Sequence, residues 1–237
     1  MLALLPARAG TLLPGAGPVA PDVFGYSAIG QPLDAFGTQL ALKPALTFHS
    51  IGLTLAGSLL AEVIADPSNV YCAGCLDFIF QVENAPGSAT NITRISIGGF
   101  TGFQTDAGYD ATTFGGRSEC GPADSGACNI VFFGPDSVDR SANGDQVAFN
   151  FLSNPLIPGK AAPNLIIETN AIAYTDPSFS VYGSDGSQVL DVSGILGPAG
   201  APVGSVPEPS AALLLGPALL GLLGARRFAG TRRSATF

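Results

Sequence analysis

The chain has 237 residues, a formal net charge of −8 and only 12% charged residues. Residues 1–205 carry 17 acidic and six basic residues, so the body has no basic stripe with which to bind phosphates. This balance excludes nucleic acid as an expected partner. The 46% of hydrophobic residues argue against disorder throughout the chain, and the 31 glycines and 19 prolines indicate many turns.

Residues 1–21 form a leader rich in Leu, Pro, Gly and Ala. The run Ala7–Gly10 is similar to an A-x-A cleavage site. The apolar run before it, residues 2–5, is shorter than a signal-peptide core of about 7–15 residues. Two interpretations stay open, which are a secretory signal truncated at its start and a disordered leader.

Residues 22–193 are predicted to form one all-β extracellular domain with a β-sandwich-like fold. Short apolar and β-branched runs alternate with Gly, Pro and Asn turns about every 8–12 residues, and no 3.6-residue period precedes residue 205. We expect residues 98–128 to be a loop excursion and residues 194–205 to be a flexible linker. The predicted strands are Leu46–His49, Ile51–Leu55, Leu59–Ala65, Leu76–Glu83, Asn91–Ile97, Ile130–Phe133, Gln146–Leu152, Leu165–Thr175, Phe179–Tyr182 and Gln188–Val192.

The four cysteines, Cys72, Cys75, Cys120 and Cys128, predict disulfides in an exported chain. Local pairing of Cys72 with Cys75 and of Cys120 with Cys128 is favoured, and the cross-pairings stay open. A zinc site is the second interpretation, because the spacing from Cys120 to Cys128 exceeds that of a usual zinc knuckle. Redox chemistry comes last, since Cys75 leads into a strand-like run rather than a helix.

Catalytic motifs are missing from the sequence, so we do not expect an enzyme. His49 is the only histidine and lies in an apolar strand-like run, where a half-buried structural role is favoured. No G-x-S-x-G, P-loop or H-E-x-x-H pattern occurs. A hydrolase with a carboxylate pair is the least favoured alternative, because no two acids stand out and the chain has no Trp.

No cofactor is expected, with calcium as the one alternative. Its candidate ligands are Asp136, Asp139, Asn143 and Asp145, which supply oxygen atoms of the kind that calcium prefers. Their spacing departs from that of an EF-hand loop. The favoured interpretation is therefore a solvated turn in which Asp and Asn bond to their own backbone.

The C-terminal tail, residues 206–233, has three parts in a fixed order. Val206, Pro207, Glu208 and Pro209 begin it, the uncharged run 211–225 follows, and Arg226, Arg227, Arg232 and Arg233 close it. At about 1.5 Å per residue the uncharged run spans roughly 22 Å, which is short of a hydrocarbon core of about 30 Å. Snorkelling arginines reduce this mismatch and hold the basic end in the cytoplasm. The tail predicts a short single-pass transmembrane helix with the body outside.

This order of motif, apolar helix and arginines resembles the PEP-CTERM sorting signal of Gram-negative bacteria. The resemblance implies cleavage near Pro207–Pro209 by an exosortase, a membrane enzyme. It also implies transfer from the inner membrane to the cell surface or the exopolysaccharide matrix of a biofilm. We therefore expect a non-enzymatic surface or matrix protein, and the alternative is a calcium- or glycan-binding adhesion module.

Overall fold

The computed structural model describes residues 11–24, 37–110, 134–190 and 192–200. The chain divides into two compact units, Met1–Val203 and Gly204–Phe237, and every described residue belongs to the first. Within these ranges no helix has both the length and the apolar character that crossing a membrane requires. The predictions that lie outside the described residues are the cleavage-like run Ala7–Gly10, Cys120, Cys128, the strand Ile130–Phe133 and the whole tail 206–233.

The described part of the chain is all-β and contains no helix, which confirms the predicted fold class. Its strands, in chain order, are β1 Asp22–Phe24, β2 Thr38–His49, β3 Ala56–Asp66, β4 Cys75–Asn84, β5 Ile92–Ile97, β6 Thr105–Asp110, β7 Ser137–Arg140, β8 Val147–Asn150, β9 Lys160–Ala161, β10 Leu165–Thr169, β11 Ala173–Thr175, β12 Phe179–Gly183, β13 Gln188–Val189 and β14 Gly197–Ala199.

Two larger sheets form a sandwich-like arrangement. The first has the order β1-β6-β10-β4-β3-β2, with β9 also paired to β4, and the second has the order β13-β12-β5-β8-β7. Neighbouring strands are antiparallel except for β1 and β6, which are parallel. β11 and β14 form a separate two-stranded ribbon.

The main core lies between the two larger sheets. Side chains alternate along each strand, so Phe78 and Phe80 of β4 enter the same core as Ile95 of β5 and Phe149 of β8. All four are fully buried. Removing such side chains from water contributes about 1.5–3 kcal/mol each before the entropy of ordering is counted.

The predicted segments match the structure in most places, and two predicted strands and one predicted loop differ. Ile51–Leu55 forms a turn instead of a strand, with Gly52 and Leu53 at φ of 94° and 60°. The predicted loop 98–128 contains β6, which lies in the first sheet. The predicted strand Leu165–Thr175 divides into β10 and β11, and the buried side chain of Asn170 follows the end of β10.

The leader contributes to the folded domain, which corrects the predicted boundary at residue 22. Leu12 is buried in the main core, and its backbone N–H donates to Thr105 O at 2.7 Å. Arg140 of β7 fixes this segment by donating from Nη1 to Leu12 O at 3.0 Å. The same buried guanidinium donates to the carbonyls of Gly144, Phe100 and Phe103 at 3.0, 2.7 and 2.8 Å. The leader is thus part of the sandwich from residue 11 onward.

The predicted linker 194–205 is wrong in its first half. Ile195 and Leu196 are buried in the main core, and Gly197–Ala199 pairs with β11. Because an apolar pair and a strand follow Gly194, these residues belong to the domain. The glycine-rich composition that suggested a linker instead provides a close approach, since a Cβ at Gly197 would overlap the ring of Pro177.

Candidate functional site

Buried carboxylates cluster on the outer face of the first sheet, opposite the main core. This face carries a small apolar cluster of its own, formed by Phe24, Ile64, Ile79 and Ile166. The acids lie beside it because strand alternation and register bring them into one row. The row consists of Asp22 on β1, Asp106 on β6, Glu168 on β10, Asp77 on β4 and Asp66 on β3, all of them buried.

The strand register determines which acids meet. Glu168 lies directly opposite Asp77 on one side and opposite Asp106 on the other. Directly opposed residues of antiparallel strands have Cβ atoms about 4.5–5.5 Å apart, so like charges there repel. Asp66 lies one diagonal step from Asp77, because Asp77 pairs with Ile64 and Asp66 pairs with Cys75.

Three of the acids form the tightest group. Asp66, Asp77 and Glu168 each offer one carboxylate oxygen, and these oxygens all lie within 4.8 Å of one another. The three side chains are 2%, 0% and 2% exposed. Three carboxylates at this spacing and depth repel one another, and burial reduces the screening of that repulsion by water.

Hydrogen bonds satisfy the Asp77 carboxylate only in part. Ser68 donates its backbone N–H and its hydroxyl to Asp66 Oδ1, both at 2.7 Å. Asn69 donates from Nδ2 to Asp77 Oδ1 at 2.6 Å and to the Thr169 carbonyl at 3.1 Å. The other oxygen of Asp77, Oδ2, is buried and has no hydrogen-bond donor.

The electrostatics of the row follow from burial and like charge. Burial raises the pKa of Asp77 well above its usual value, the charges of Glu168 and Asp66 raise it further, and Asn69 opposes the rise. Burial, followed by the charges of Asp22 and Glu168, raises the pKa of Asp106 to about 7. The row therefore favours uptake of positive charge, either as protons or as a cation.

A disulfide closes the loop next to this group. Cys72 and Cys75 are bonded, with their Cα atoms 5.3 Å apart, in the connection from β3 to β4. Asn69 Oδ1 accepts from Tyr71 N at 2.8 Å, and Gly74 N donates to Asp66 O at 2.7 Å. The disulfide loop thus limits the movement of the β3–β4 connection. Asn69 lies within this connection, and Asp66 and Asp77 lie on either side of it.

The candidate calcium ligands of the sequence are not brought together. Asp139 lies within β7, where Arg94 donates from Nη1 and Nη2 to its two oxygens at 2.5 and 2.8 Å and Asn150 donates at 2.8 Å. Burial raises the pKa of Asp139, but these donors outweigh it, and the pKa is lowered. Asp136 precedes β7 and accepts from Ser153 N at 2.6 Å.

Asn143 and Asp145 lie at the other end of the β7–β8 hairpin. Asn143 Oδ1 accepts from the backbone N–H of Asp145 at 3.1 Å, which is the turn geometry favoured from the sequence. Asp145 Oδ1 accepts from the Thr101 hydroxyl at 3.0 Å. The structure therefore does not support one cation site formed by these four residues.

Two grooves open beside β2, the edge strand of the first sheet. One, of about 530 Å³, is lined by residues that include Phe48, exposed His49 and Val189. The other, of about 410 Å³, is lined by residues that include Lys43, Tyr174 and Asp176. Neither groove sets His49 beside a nucleophile and an orienting acid.

The chain matches no protein-family model, no curated protein and no solved structure. Its function is therefore inferred from its own residues. The carboxylate group was not singled out from the sequence, although one signal was present. Asp77 and Glu168 interrupt apolar strand-like runs and Asp66 ends one, and acidic residues are almost never fully buried unless paired.

Proposed function

We propose that this chain is an exported surface or exopolysaccharide-matrix protein whose body is non-enzymatic. The observation that carries the proposal is the tail, in which Val206–Pro209 precedes an uncharged run and two arginine pairs. An exosortase would cleave near Pro207–Pro209 while the inner membrane holds the apolar run. The basic end would stay in the cytoplasm.

The folded body is compatible with export. The Cys72–Cys75 disulfide suits an oxidising compartment, and the net negative charge of the chain suits solubility outside the cell. The buried carboxylates do not favour a hydrolase, because a sugar cannot reach side chains that are 2% exposed or less. These features of the body support the proposal independently of the tail.

The intact mass of the mature protein tests this proposal in strains with and without exosortase. We expect a C-terminus near Pro207–Pro209 in the first strain and Phe237 in the second. The variant Glu208→Ala should block processing, while Pro202→Ala, a matched change just outside the motif, should not. A C-terminus at Phe237 in both strains would refute the sorting function.

A glycan-binding adhesion module is the second candidate. The groove that includes Lys43, Tyr174 and Asp176 favours it, because its lining combines an aromatic side chain that is 40% exposed with a cation and an acid. Lys43 Nζ lies 3.7 Å from Asp176 Oδ1. Ligand sites commonly combine an apolar or aromatic surface with a few oriented polar groups.

A further inference from the structure

We infer that Asp66, Asp77 and Glu168 form a buried binding site for a divalent cation, with calcium as the preferred ion. The inference concerns the β-sandwich alone and is independent of the sorting tail. It differs from the alternative calcium site of the sequence, Asp136, Asp139, Asn143 and Asp145, in both its residues and its sheet.

The spacing of the oxygens fits calcium. Ca²⁺ binds oxygen at about 2.3–2.6 Å, so two ligands on opposite sides of the ion are at most about 4.6–5.2 Å apart. The three oxygens of Asp66, Asp77 and Glu168 all lie within 4.8 Å of one another. Three oxygens spread evenly around one ion at this distance lie about 4.0–4.5 Å apart. The group therefore needs at most a small adjustment of its side chains to contact one ion.

Asp77 provides a second and independent observation. Its side chain is fully buried, and Oδ2 has no hydrogen-bond donor although Oδ1 accepts from Asn69. A buried carboxylate oxygen without a partner is costly, because nothing replaces the water that it loses on folding. A bound cation supplies the missing interaction and offsets the repulsion from Asp66 and Glu168.

The chemistry of the ligands selects the class of cation. All three are carboxylates, which favour hard ions over the softer metals that bind thiolates. The nearby Cys72 and Cys75 are joined in a disulfide and offer no thiolate. A group on three strands of a sheet adapts poorly to the near-ideal octahedron that Mg²⁺ requires, so we expect Ca²⁺ to bind more tightly.

Such an ion would tie the sheet together. It would join β3, β4 and β10 at the end of the sheet where the disulfide loop begins. Calcium modules outside cells commonly bind with dissociation constants of about 10⁻⁴–10⁻³ M. Occupancy would therefore follow the calcium concentration of the surroundings.

Calorimetry and thermal unfolding of the purified full chain in detergent, after removal of metals with EGTA, test the site. We expect one Ca²⁺ per chain, at least tenfold tighter binding than Mg²⁺, and a midpoint raised by about 5 °C in excess calcium. Asp77→Asn should abolish both the heat and the shift. Asp185→Asn, a control at an exposed acid in the β12–β13 turn, should retain both.

Folding of the variants must be checked separately from binding. Asp77→Asn removes one repelling charge, so we expect it to unfold in EGTA no earlier than the wild type. If it does not fold, Glu168→Gln is the second variant, with the same expected loss of binding. The inference is overturned if wild-type protein shows no heat and no shift up to about 10 mM calcium, if folded Asp77→Asn responds like the wild type, or if Mg²⁺ binds equally tightly.

Discussion

Two buried charged groups in this domain differ in how well the protein satisfies them. The Arg140 guanidinium donates to four backbone carbonyls, so its charge is dispersed over fixed dipoles. Asp77 accepts from Asn69 at Oδ1 and faces two further carboxylates. A fully bonded buried ion stabilises one arrangement of the chain, whereas a partly bonded one favours a change of protonation or a ligand.

Asp106 should make stability depend on pH. Its pKa is raised to about 7, so the folded chain holds this proton more tightly than the unfolded chain does. The contribution of Asp106 to the free energy of unfolding is therefore fully present below about pH 4 and is lost as the pH rises toward about 7. Asp106→Asn should reduce the fall in stability between pH 5 and pH 8 by about 1 kcal/mol.

Urea unfolding in EGTA at the two pH values measures this effect. The chelator removes bound cations, which would otherwise compete with protons for the row. Asp176→Asn is the control, because Asp176 is largely exposed beside Lys43. If Asp106→Asn and the wild type lose equal stability between pH 5 and pH 8, the carboxyl does not hold its proton as described.

At the scale of elements, the long hairpin β2–β3 and its partner β4 depend on a close backbone approach. Gly57 of β3 is buried, pairs with Phe48 on β2 and with Asn84 on β4, and leaves no room for a side chain. A Cβ there would overlap the carbonyl oxygen of Glu83 and the ring of Phe48. The same ring packs 6.1 Å from the ring of Phe179 in the second sheet.

Gly57→Ala should therefore destabilise the domain by about 1–3 kcal/mol, because either the strand or the Phe48 ring must shift. Gly87→Ala is the matched control, since a Cβ at Gly87 meets no atom within 4 Å. Chemical denaturation of both variants measures the difference. Equal stabilities would show that the sheet accommodates a methyl group at Gly57 without strain.

At the scale of the whole domain, the segment before β1 completes the sandwich. It crosses from the first sheet, at Thr105, to the second sheet, where Val19 bridges to Val138. Leu12 fills a position in the main core, while its neighbour Leu13 is 64% exposed. Adjacent leucines with opposite burial allow a matched test of this contact.

Leu12→Ala should lower the free energy of unfolding by about 2–3 kcal/mol, through lost burial and the cavity that remains. Leu13→Ala should change it by no more than about 0.5 kcal/mol. Denaturant titration of the two variants, each compared with wild type, measures both values. Similar effects at the two positions would mean that the segment is not packed into the core.

The strand pattern and the carboxylate site differ in how far they follow from the sequence. Leu76–Glu83 and Asn91–Ile97 were predicted close to their observed bounds, because alternation and turn residues are local signals. β6 and β7 were missed, because TDAGYD and SVDR carry few apolar residues. The positions of β6 and β7 in their sheets depend on hydrogen bonds with neighbouring strands.

The sequence by itself determined the all-β class of the described body and the order of motif, apolar run and arginines from which sorting is proposed. These features depend on neighbours along the chain, where side-chain period and composition act directly. Only the tertiary structure decided that Asp66, Asp77 and Glu168 meet, since Glu168 on β10 is far along the chain from the other two on β3 and β4. Strand register brings them together, and register depends on pairing across the sheet rather than on local composition.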